Sequence, residues 1–280
     1  MQTTCSLRSV LWKHLIRRRA MAFGLTLIVL WMALAALAPA VCPSDPYDMS
    51  FPRLEPPSST NLLGTDQFGR DVLTLVIYGA RVSLIFGFGV AILSSAVGAV
   101  LGAVPGYFGG LVDDLISRFT EIFLMMPVVL VAIIGAALFG NSTMVAVIIV
   151  TLTLWPTNAR IMRGEVLRVK QQEYVQAAIA CGAGQWRILV RHILPNAVTP
   201  VVTSATLQMG LAILVEAGLG FVGLGDPNHP SWGQLLHKAQ YTRSSWWLSV
   251  FPGLAITSLL LGVRYFGDGL NEMLARGSRN

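Results

Sequence analysis

Residues 171–196 read QQEYVQAAIACGAGQWRILVRHILPN and lie between two long apolar blocks. The alanine-rich first half of this stretch favours a helix. Gly182 and Gly184 interrupt that helix, and residues 185–194 read as a second short helix that ends at Pro195. Simple links between helices need only a few residues, so a connection of this length is usually functional. The stretch predicts a helix–glycine–helix elbow, and an amphipathic helix lying on a lipid surface is the alternative.

The chain carries four apolar segments before the elbow and two after it. A helix needs roughly 20 mainly apolar residues to cross a bilayer, and the segments meet or approach that length, although the fifth contains Pro200 and Gln208. Of the 280 residues, 54% are hydrophobic and only 12% are charged, about half the charged fraction of a soluble domain. The sequence predicts an all-α integral membrane protein with six transmembrane helices, at 20–41, 80–104, 119–139, 143–158, 197–217 and 246–267.

The first apolar segment has a second interpretation. Three arginines at 17–19 precede its apolar run, and Ala-Pro-Ala at 38–40 follows it, as around the cleavage site of a signal peptide. Its apolar core is nevertheless long enough to span a bilayer, and five further predicted spans follow it. We therefore interpret this segment as an uncleaved membrane anchor.

Lysine and arginine residues gather on one side of the predicted bundle. The termini share a side with the connections at 105–118 and 159–196, and this side collects fifteen of the 20 Lys and Arg residues. Cytoplasmic loops carry such an excess, so both termini are predicted to be cytoplasmic. The basic residues lie between apolar blocks and not in one patch, which predicts membrane lipid as a partner and excludes nucleic acid. The other side collects Arg53, Arg70, Arg81, Lys238 and Arg243.

The elbow resembles the EAA loop of ABC importer permeases, whose pattern is E-A-A, three residues, Gly, nine residues and then I-x-L-P. Two positions depart from the pattern, because Gln176 stands for the glutamate and His192 for the isoleucine. Glu173 lies three residues before Gln176, in the E-Y-V-x-A-A form of the peptide/nickel branch. The resemblance implies a coupling helix that docks on a separate ATPase subunit. Its candidate residues are Glu173, Ala177, Ala178, Gly182, Ile188, His192, Leu194 and Pro195.

Further motifs extend the resemblance over most of the chain. LGTDQFGRD at 63–71, GYFGGLVDD at 106–114 and FVGLG at 221–225 are similar to segments of the peptide/nickel permeases, and the first is typical of the C-type subunit of a permease pair. The resemblance implies the transmembrane domain of a type I ABC importer. It divides the chain into 1–79, which holds the first transmembrane helix and a proline-rich external loop, and 80–280, a five-helix core permease domain with the coupling loop at about 159–196.

The same resemblance implies a permease in the bacterial inner membrane. Its partners would be a homologous second permease subunit, two ATP-binding subunits and a periplasmic substrate-binding protein, and its substrate a peptide, or else nickel or a metal chelate. ATP and Mg²⁺ would be bound by the partner subunits, because this chain has no Gly-Lys dipeptide and hence no phosphate-binding P-loop. We predict a non-catalytic subunit without a cofactor of its own. The alternative is a self-sufficient secondary transporter or channel, but charged residues are nearly absent from the middle of the spans.

Some polar residues outside the elbow are also candidates for function. Glu216 lies near the end of the fifth predicted span and is a candidate for the translocation path, with a structural carboxylate as the alternative. His229 and His237 lie eight residues apart in the second external loop with no further obvious ligand, so no metal site is predicted. For the external pair Asp66 and Arg70 we expect helix capping or a local ion pair.

Glycines recur in two patterns. Gly98 and Gly102 form a small-x-x-x-small face on the second predicted span, where a neighbouring helix can pack closely. Gly106 and Gly110 fit turns that enter the internal loop. The G-x-G-x-x-G pattern at 218–223 is a dinucleotide fingerprint only between a strand and a helix. Here it follows an apolar helix, so we interpret it as flexible backbone or tight helix packing.

Overall fold

The computed structural model describes residues 7–42, 44–242 and 244–277, and for 7–18 and 275–277 it describes the backbone only. Arg243, counted above, lies outside this description. The regular structure of the described residues is helical, and an isolated bridge between Thr65 and Asp71 is their only β pairing. The elements are α1 (Leu7–Ala36), α2 (Ala38–Val41), α3 (Val72–Phe108), α4 (Gly110–Leu124), α5 (Val128–Phe139), α6 (Thr143–Lys170), α7 (Glu173–Ala180), α8 (Gln185–Ile188), a π-helical turn (Leu189–Ile193), α9 (Leu194–Ala197), α10 (Thr199–Phe221), α11 (Trp232–Ala239) and α12 (Trp247–Gly277).

Five of the described helices are long and apolar enough to cross a membrane, namely α1, α3, α6, α10 and α12. The predicted third span, 119–139, is not one straight helix, because α4 and α5 meet at an angle of 84°. Pro127 explains the break, since it has no N–H to continue the helix and disfavours a helical conformation at Met126. When this bent pair is counted as one span, the candidate spans number six. The all-α, six-span fold class is confirmed.

Some helices extend beyond the ends predicted for the spans. α3 begins at Val72 and not near residue 80, because Asp71 caps it by accepting a hydrogen bond from the Thr74 backbone N–H at 2.8 Å. α6 continues to Lys170, so the first part of the predicted connection 159–196 is a direct extension of the fourth span. Apolar composition marks only the part of a helix that lies in lipid, and a helix can continue where its polar face is solvated.

The connections between the long helices gather at two ends of the bundle. One end holds the carboxyl ends of α3, α6 and α12 together with α7, α8 and α9, and we call it the basic end. The opposite end holds residues 44–71 and α11, and we call it the proline-rich end. There Arg81 of α3 donates from Nε to the Ala35 carbonyl at 2.7 Å. This bond satisfies one of the last carbonyl groups of α1 and joins the first span to the second.

α3 and α6 form a close backbone contact in the bundle. A Cβ atom on Gly98 would lie 2.5 Å from the Cβ of Asn158, and one on Gly102 would lie 2.3 Å from a carbonyl oxygen of α6. The predicted small-residue face is therefore confirmed. Gly106 continues the contact, since a Cβ on it would lie 3.2 Å from another α6 carbonyl, so its interpretation as a turn glycine is wrong. Gly110 does lie at a turn, with a φ of 65°.

A polar cluster joins α3, α6 and α10 beside this contact. The side-chain oxygen of Gln208 accepts hydrogen bonds from the Ser94 hydroxyl at 2.7 Å and from the Asn158 amide at 2.8 Å. The Gln208 amide nitrogen donates to the Leu154 carbonyl at 3.3 Å. Polar side chains inside a membrane bundle are tolerated when they bond across helices. This arrangement accommodates the glutamine within the fifth span.

We predict that Gly98→Ala destabilises the protein, because the new methyl group would overlap Asn158 and α6 cannot withdraw without stretching the polar cluster. Forced overpacking of this kind typically costs about 1–3 kcal/mol. The control is Gly253→Ala in α12, where the added Cβ would meet no atom within 4 Å. This control should be neutral or stabilising, since alanine is the better helix former. Thermal unfolding of the purified protein in detergent measures both variants, and equal midpoints would contradict the packing role of Gly98.

Candidate functional site

The turn of the elbow is built around Gly182, as predicted. The Ala183 N–H donates to the Ala178 carbonyl at 3.1 Å, and the Gly182 N–H donates to the Ile179 carbonyl at 2.9 Å. Gly182 has a φ of 76°, a left-handed value that glycine adopts without strain. A Cβ atom there would meet no atom within 4 Å. The backbone conformation, and not packing within this chain, therefore favours glycine.

The second half of the elbow differs from its prediction. α8 passes into the π-helical turn Leu189–Ile193 and then into α9, with no stop at Pro195. Pro195 is accommodated because it lies in the first turn of α9, where a missing N–H costs little. The Asn196 side chain supports the wider turn by donating to the His192 carbonyl at 2.7 Å. π-helical turns are frequent at functional sites.

One face of the elbow is packed against the spans. Ile188, Leu189 and Ile193 are buried on this face, as their spacing predicts. Their hydrophobic cluster extends to the basic ends of α3, α6 and α10, and a displacement of the elbow must therefore move or strain all three. The other buried members are Val175 of the elbow, Ala197 at the end of α9, and Ala103, Tyr107, Met162, Val166, Val169 and Val201 of the spans.

Other large apolar side chains of the elbow are exposed. Trp186 is 61% exposed, although one edge contacts the Phe108 ring of α3 with 5.3 Å between the ring centroids, and Tyr174, Ile179 and Val190 are exposed as well. Exposed apolar patches that are rimmed by polar residues mark interaction sites. We call the exposed apolar set the elbow face, which consists of Tyr174, Ala177, Ile179, Gly182, Trp186 and Val190.

The predicted coupling residues divide between the two faces. An exposed member can contact a partner directly, whereas a buried member can act only by holding the elbow in place. The exposed members are Glu173, Ala177, Gly182 and Pro195, the half-buried ones are Ala178, His192 and Leu194, and the buried one is Ile188.

Gln176, which departs from the family pattern, has a partner within the chain. Its side-chain amide donates to the Lys170 carbonyl at the end of α6, at 2.8 Å. A glutamate carboxylate could not do this, because it only accepts hydrogen bonds. The Lys170 ammonium in turn donates to the Tyr107 carbonyl of α3 at 2.7 Å. These bonds tie α7, α6 and α3 together, and the sequence reasoning missed them because their partners are not neighbours in any local pattern.

A second connection at the basic end joins α4 to α6. The guanidinium Nη2 of Arg163 donates to Oδ2 of Asp113 at 2.6 Å, and Nε donates to the other carboxylate oxygen. Such two-pronged pairs are the strongest kind of side-chain ion pair. Asp113 belongs to the GYFGGLVDD motif quoted above, and that motif was the one available signal for it. The pair fixes the first half of the broken span to α6.

Glu216 is buried in α10 at the proline-rich end, with 6% of its surface exposed. The Ser83 hydroxyl of α3 donates to its carboxylate at 3.1 Å. The side chain also lines a small cavity together with Asn141, Thr143 and Asp226. A carboxylate held in this way is compatible with a structural role and with a place beside the translocation path. Its role stays a prediction.

The predicted ion pair between Asp66 and Arg70 is confirmed at the proline-rich end. The Arg70 Nε donates to Asp66 Oδ2 at 2.8 Å, and its Nη2 forms a second bond to the same oxygen. Helix capping, the other role expected for this pair, belongs to Asp71. Both side chains are buried, so the ion pair lies inside the 44–71 loop and not on its surface. It therefore helps to hold the loop in its fold.

The two histidines at the proline-rich end make local contacts. Nδ1 of His237 lies 2.7 Å from the Phe221 carbonyl, and Nδ1 of His229 lies 3.3 Å from an Asp226 carboxylate oxygen. Within 7–42, 44–242 and 244–277, no three His, Cys, Asp or Glu side chains come together as metal ligands would.

The G-x-G-x-x-G stretch lies at the end of α10, where Gly223 adopts a φ of 90°. That geometry agrees with the backbone role expected for these glycines.

Comparison with known proteins agrees with this architecture. Residues 97–280 match the model of the family described as binding-protein-dependent transport system inner membrane component. A putative peptide transport system permease protein of Brucella suis is 38% identical over 265 residues, which is 94% of this chain and 89% of that protein. The dipeptide transport system permease protein DppC of Alkalihalophilus pseudofirmus is 38% identical over 267 residues, 94% of this chain and 88% of that protein.

A solved structure shares the fold. A chain of the MetNI methionine ABC transporter, solved in inward-facing conformations, superposes with a TM-score of 0.58 at 19% identity and covers 71% of this chain and 96% of that chain. The family match and both relatives cover most of the chain, and its candidate spans suit an inner membrane protein. This chain therefore belongs to the family of binding-protein-dependent transport system inner membrane components, as a multi-pass permease subunit.

Proposed function

We propose that this chain is one of two homologous permease subunits of an ABC importer for peptides, and that its elbow face receives the movement of a separate ATP-binding subunit. One observation carries the proposal. The elbow has an inner face packed on three spans and, in the elbow face, a set of exposed apolar side chains of which only Trp186 has a described ring contact, with Phe108. A loop that only linked two spans would need neither the rigid inner face nor the apolar outer one.

The charge pattern supports the direction of coupling. The basic end carries the excess of Lys and Arg, which supports a cytoplasmic position for this end and both termini, on the side where ATP is available. The proline-rich end then faces outside, where a substrate-binding protein delivers its load. Two ATP-binding subunits hold ATP and Mg²⁺, since this chain has no P-loop lysine of its own.

Differential affinity drives the transport step in this proposal. The ATP-bound subunits must bind the elbow more tightly in the outward-facing state than in the inward-facing state, or the population of states does not shift. Because the elbow is packed on α3, α6 and α10, a small displacement at its outer face reaches the pathway. The chain gates transport and performs no covalent chemistry. The names of the relatives, a peptide and a dipeptide permease, favour peptides over nickel.

We predict that Gly182→Val uncouples ATP hydrolysis from uptake. Valine is disfavoured at a φ of 76°, at a cost of about 1–2 kcal/mol, so the elbow changes shape although no atom obstructs the side chain. Uptake should fall by roughly tenfold for each 1.4 kcal/mol of lost coupling, while ATP hydrolysis by the assembled importer continues. Peptide uptake and phosphate release in proteoliposomes measure the two activities.

The control for this variant is Gly184→Val, two residues further along. Gly184 is equally open, with no atom within 4 Å of an added Cβ, but its φ of −64° suits any residue. This variant should retain coupling if the conformation of the elbow is what matters. Normal uptake by the Gly182→Val importer would contradict the proposed mechanism.

We also predict that Ile179→Asp prevents the ATP-binding subunits from co-purifying with the permease, while the permease itself remains folded. Ile179 is exposed on the elbow face, so the new carboxylate is solvated in the free protein and is buried at a cost only when the partner docks. Ile188→Asp is the contrasting variant, because Ile188 is buried and a charge there should lower the unfolding temperature of the permease itself. Co-purification of an unchanged amount of ATP-binding subunits with Ile179→Asp would argue against the elbow face as the docking surface.

A further inference from the structure

Three charged side chains meet at the proline-rich end, in a cluster that the proposed function does not yet use. Asp66 and Arg70 come from the 44–71 loop, and Lys238 comes from α11, more distant in sequence. The Lys238 ammonium lies 3.9 Å from Asp66 Oδ2. The side chain of Asp66 is fully buried and that of Arg70 nearly so, whereas the Lys238 side chain is 19% exposed. Lys238 is therefore the member of the cluster that an outside partner can reach.

The carboxylate of Asp66 is already fully engaged. Its Oδ2 accepts two bonds from the Arg70 guanidinium, and its Oδ1 accepts the backbone N–H groups of Phe68 at 2.8 Å and of Arg70 at 3.0 Å. Lys238 stands beyond hydrogen-bond distance of this carboxylate. One carboxylate thus faces two cations, and the cluster carries a surplus positive charge in a partly buried place.

An exposed aromatic ring holds the two cations side by side. The Phe68 ring has the Arg70 guanidinium carbon 5.1 Å and the Lys238 ammonium 5.6 Å from its centroid, both within cation–π range. The ring itself is 41% exposed. The surface therefore presents an apolar ring next to an ammonium group that lacks a full counter-charge, a combination suited to a carboxylate on a partner protein.

The electrostatic state of Lys238 agrees with this description. Burial, and after it the neighbouring Arg70, lower the pKa of Lys238 to about 8, against the opposing effect of Asp66. A cation whose pKa is lower in the folded state opposes folding at pH 7, where it is charged in both states, and this penalty is relieved as the pH rises through 8. The positive charge of Lys238 is therefore not explained by a contribution to the stability of the free chain at neutral pH.

We propose that Lys238, supported by Arg70 and Phe68, is a docking point for a carboxylate side chain of the external substrate-binding protein. The inference rests on the proposed function, which supplies that partner. The incoming carboxylate neutralises the surplus positive charge. It thereby removes the free-energy penalty of keeping Lys238 charged in a partly buried place in the free permease. A peptide substrate also offers a carboxylate, and the experiment below separates the two sources.

The test uses the assembled importer in lipid nanodiscs and its peptide-loaded binding protein, with Lys238→Met as the variant. We expect the affinity for the loaded binding protein to fall on the order of tenfold. The thermal midpoint of the permease at pH 7 should be unchanged or higher. Arg53→Met is the control, because Arg53 is an exposed cation of the same 44–71 loop, and it should alter the affinity much less.

A pH series with Lys238→Arg adds a second readout. The charged groups that act on Lys238 are Asp66 and Arg70. Of the helices packed against α11, α10 carries the carboxylate of Glu216, which is bonded to Ser83, and α3 carries Arg81, which is bonded to the Ala35 carbonyl. Docking to the wild-type importer should weaken between pH 7 and 9.5 as Lys238 loses its proton. Docking to the Lys238→Arg importer should not, because arginine stays charged in this range.

Two outcomes would overturn the docking point. One is an unchanged affinity of the Lys238→Met importer for the loaded binding protein, whether or not the thermal midpoint of the permease falls. Lys238 would then have no more than a structural role. The other is protection of Lys238 from an amine-reactive label by free dialanine but not by the loaded binding protein, since the site would then belong to the substrate. If the wild-type importer neither binds the loaded protein nor responds to it with ATP hydrolysis, the proposed function itself is wrong, whatever Lys238 does.

Discussion

The backbone contact between α3 and α6 is the constraint on which the rest of the structure depends. The two helices meet at Gly98 and Gly102, where an added methyl group would overlap the facing helix. Lipid tails are as apolar as the helices, so the hydrophobic effect does not hold such helices together, and close packing and hydrogen bonds must. The cluster of Ser94, Asn158 and Gln208 supplies those bonds beside the glycines and brings α10 into the same unit.

This contact also builds the platform under the elbow. Because α6 continues without a break to Lys170, its side chains and those of α3 form one apolar surface at the basic end. The elbow buries Ile188, Leu189 and Ile193 on that surface. An amphipathic helix lying on lipid would bury the same side chains in the bilayer, so the structure favours the elbow over that alternative. The elbow face remains exposed, as the proposed docking of an ATP-binding subunit requires.

The proline-rich end adds polar anchors to its apolar packing. The Trp232 indole donates to the Val76 carbonyl at 2.8 Å, and the Trp247 indole donates to the Thr65 carbonyl at 3.1 Å. The first bond joins α11 to α3, whereas the second, together with the buried carboxylate of Asp66, satisfies backbone groups of the irregular 44–71 loop. A surface that is ordered in advance loses little entropy when a soluble protein docks on it. Both ends of the permease thus combine apolar packing with hydrogen bonds between elements.

Local patterns in the sequence determined the positions of most spans, the side on which the basic residues gather, and the glycine at the turn of the elbow. Hydropathy and a single backbone dihedral act within one helix or one turn, so these features do not depend on what packs against them. Pro195 was misread as a stop because its effect depends on the turn in which it lies, and that turn is shaped by the platform beneath it. The bond from Lys170 to the Tyr107 carbonyl of α3, the burial of Glu216 and the meeting of Lys238 with Asp66 were decided by the tertiary structure alone. Each depends on how distant helices and loops approach one another, and the distance between such side chains is set by packing that no local pattern contains.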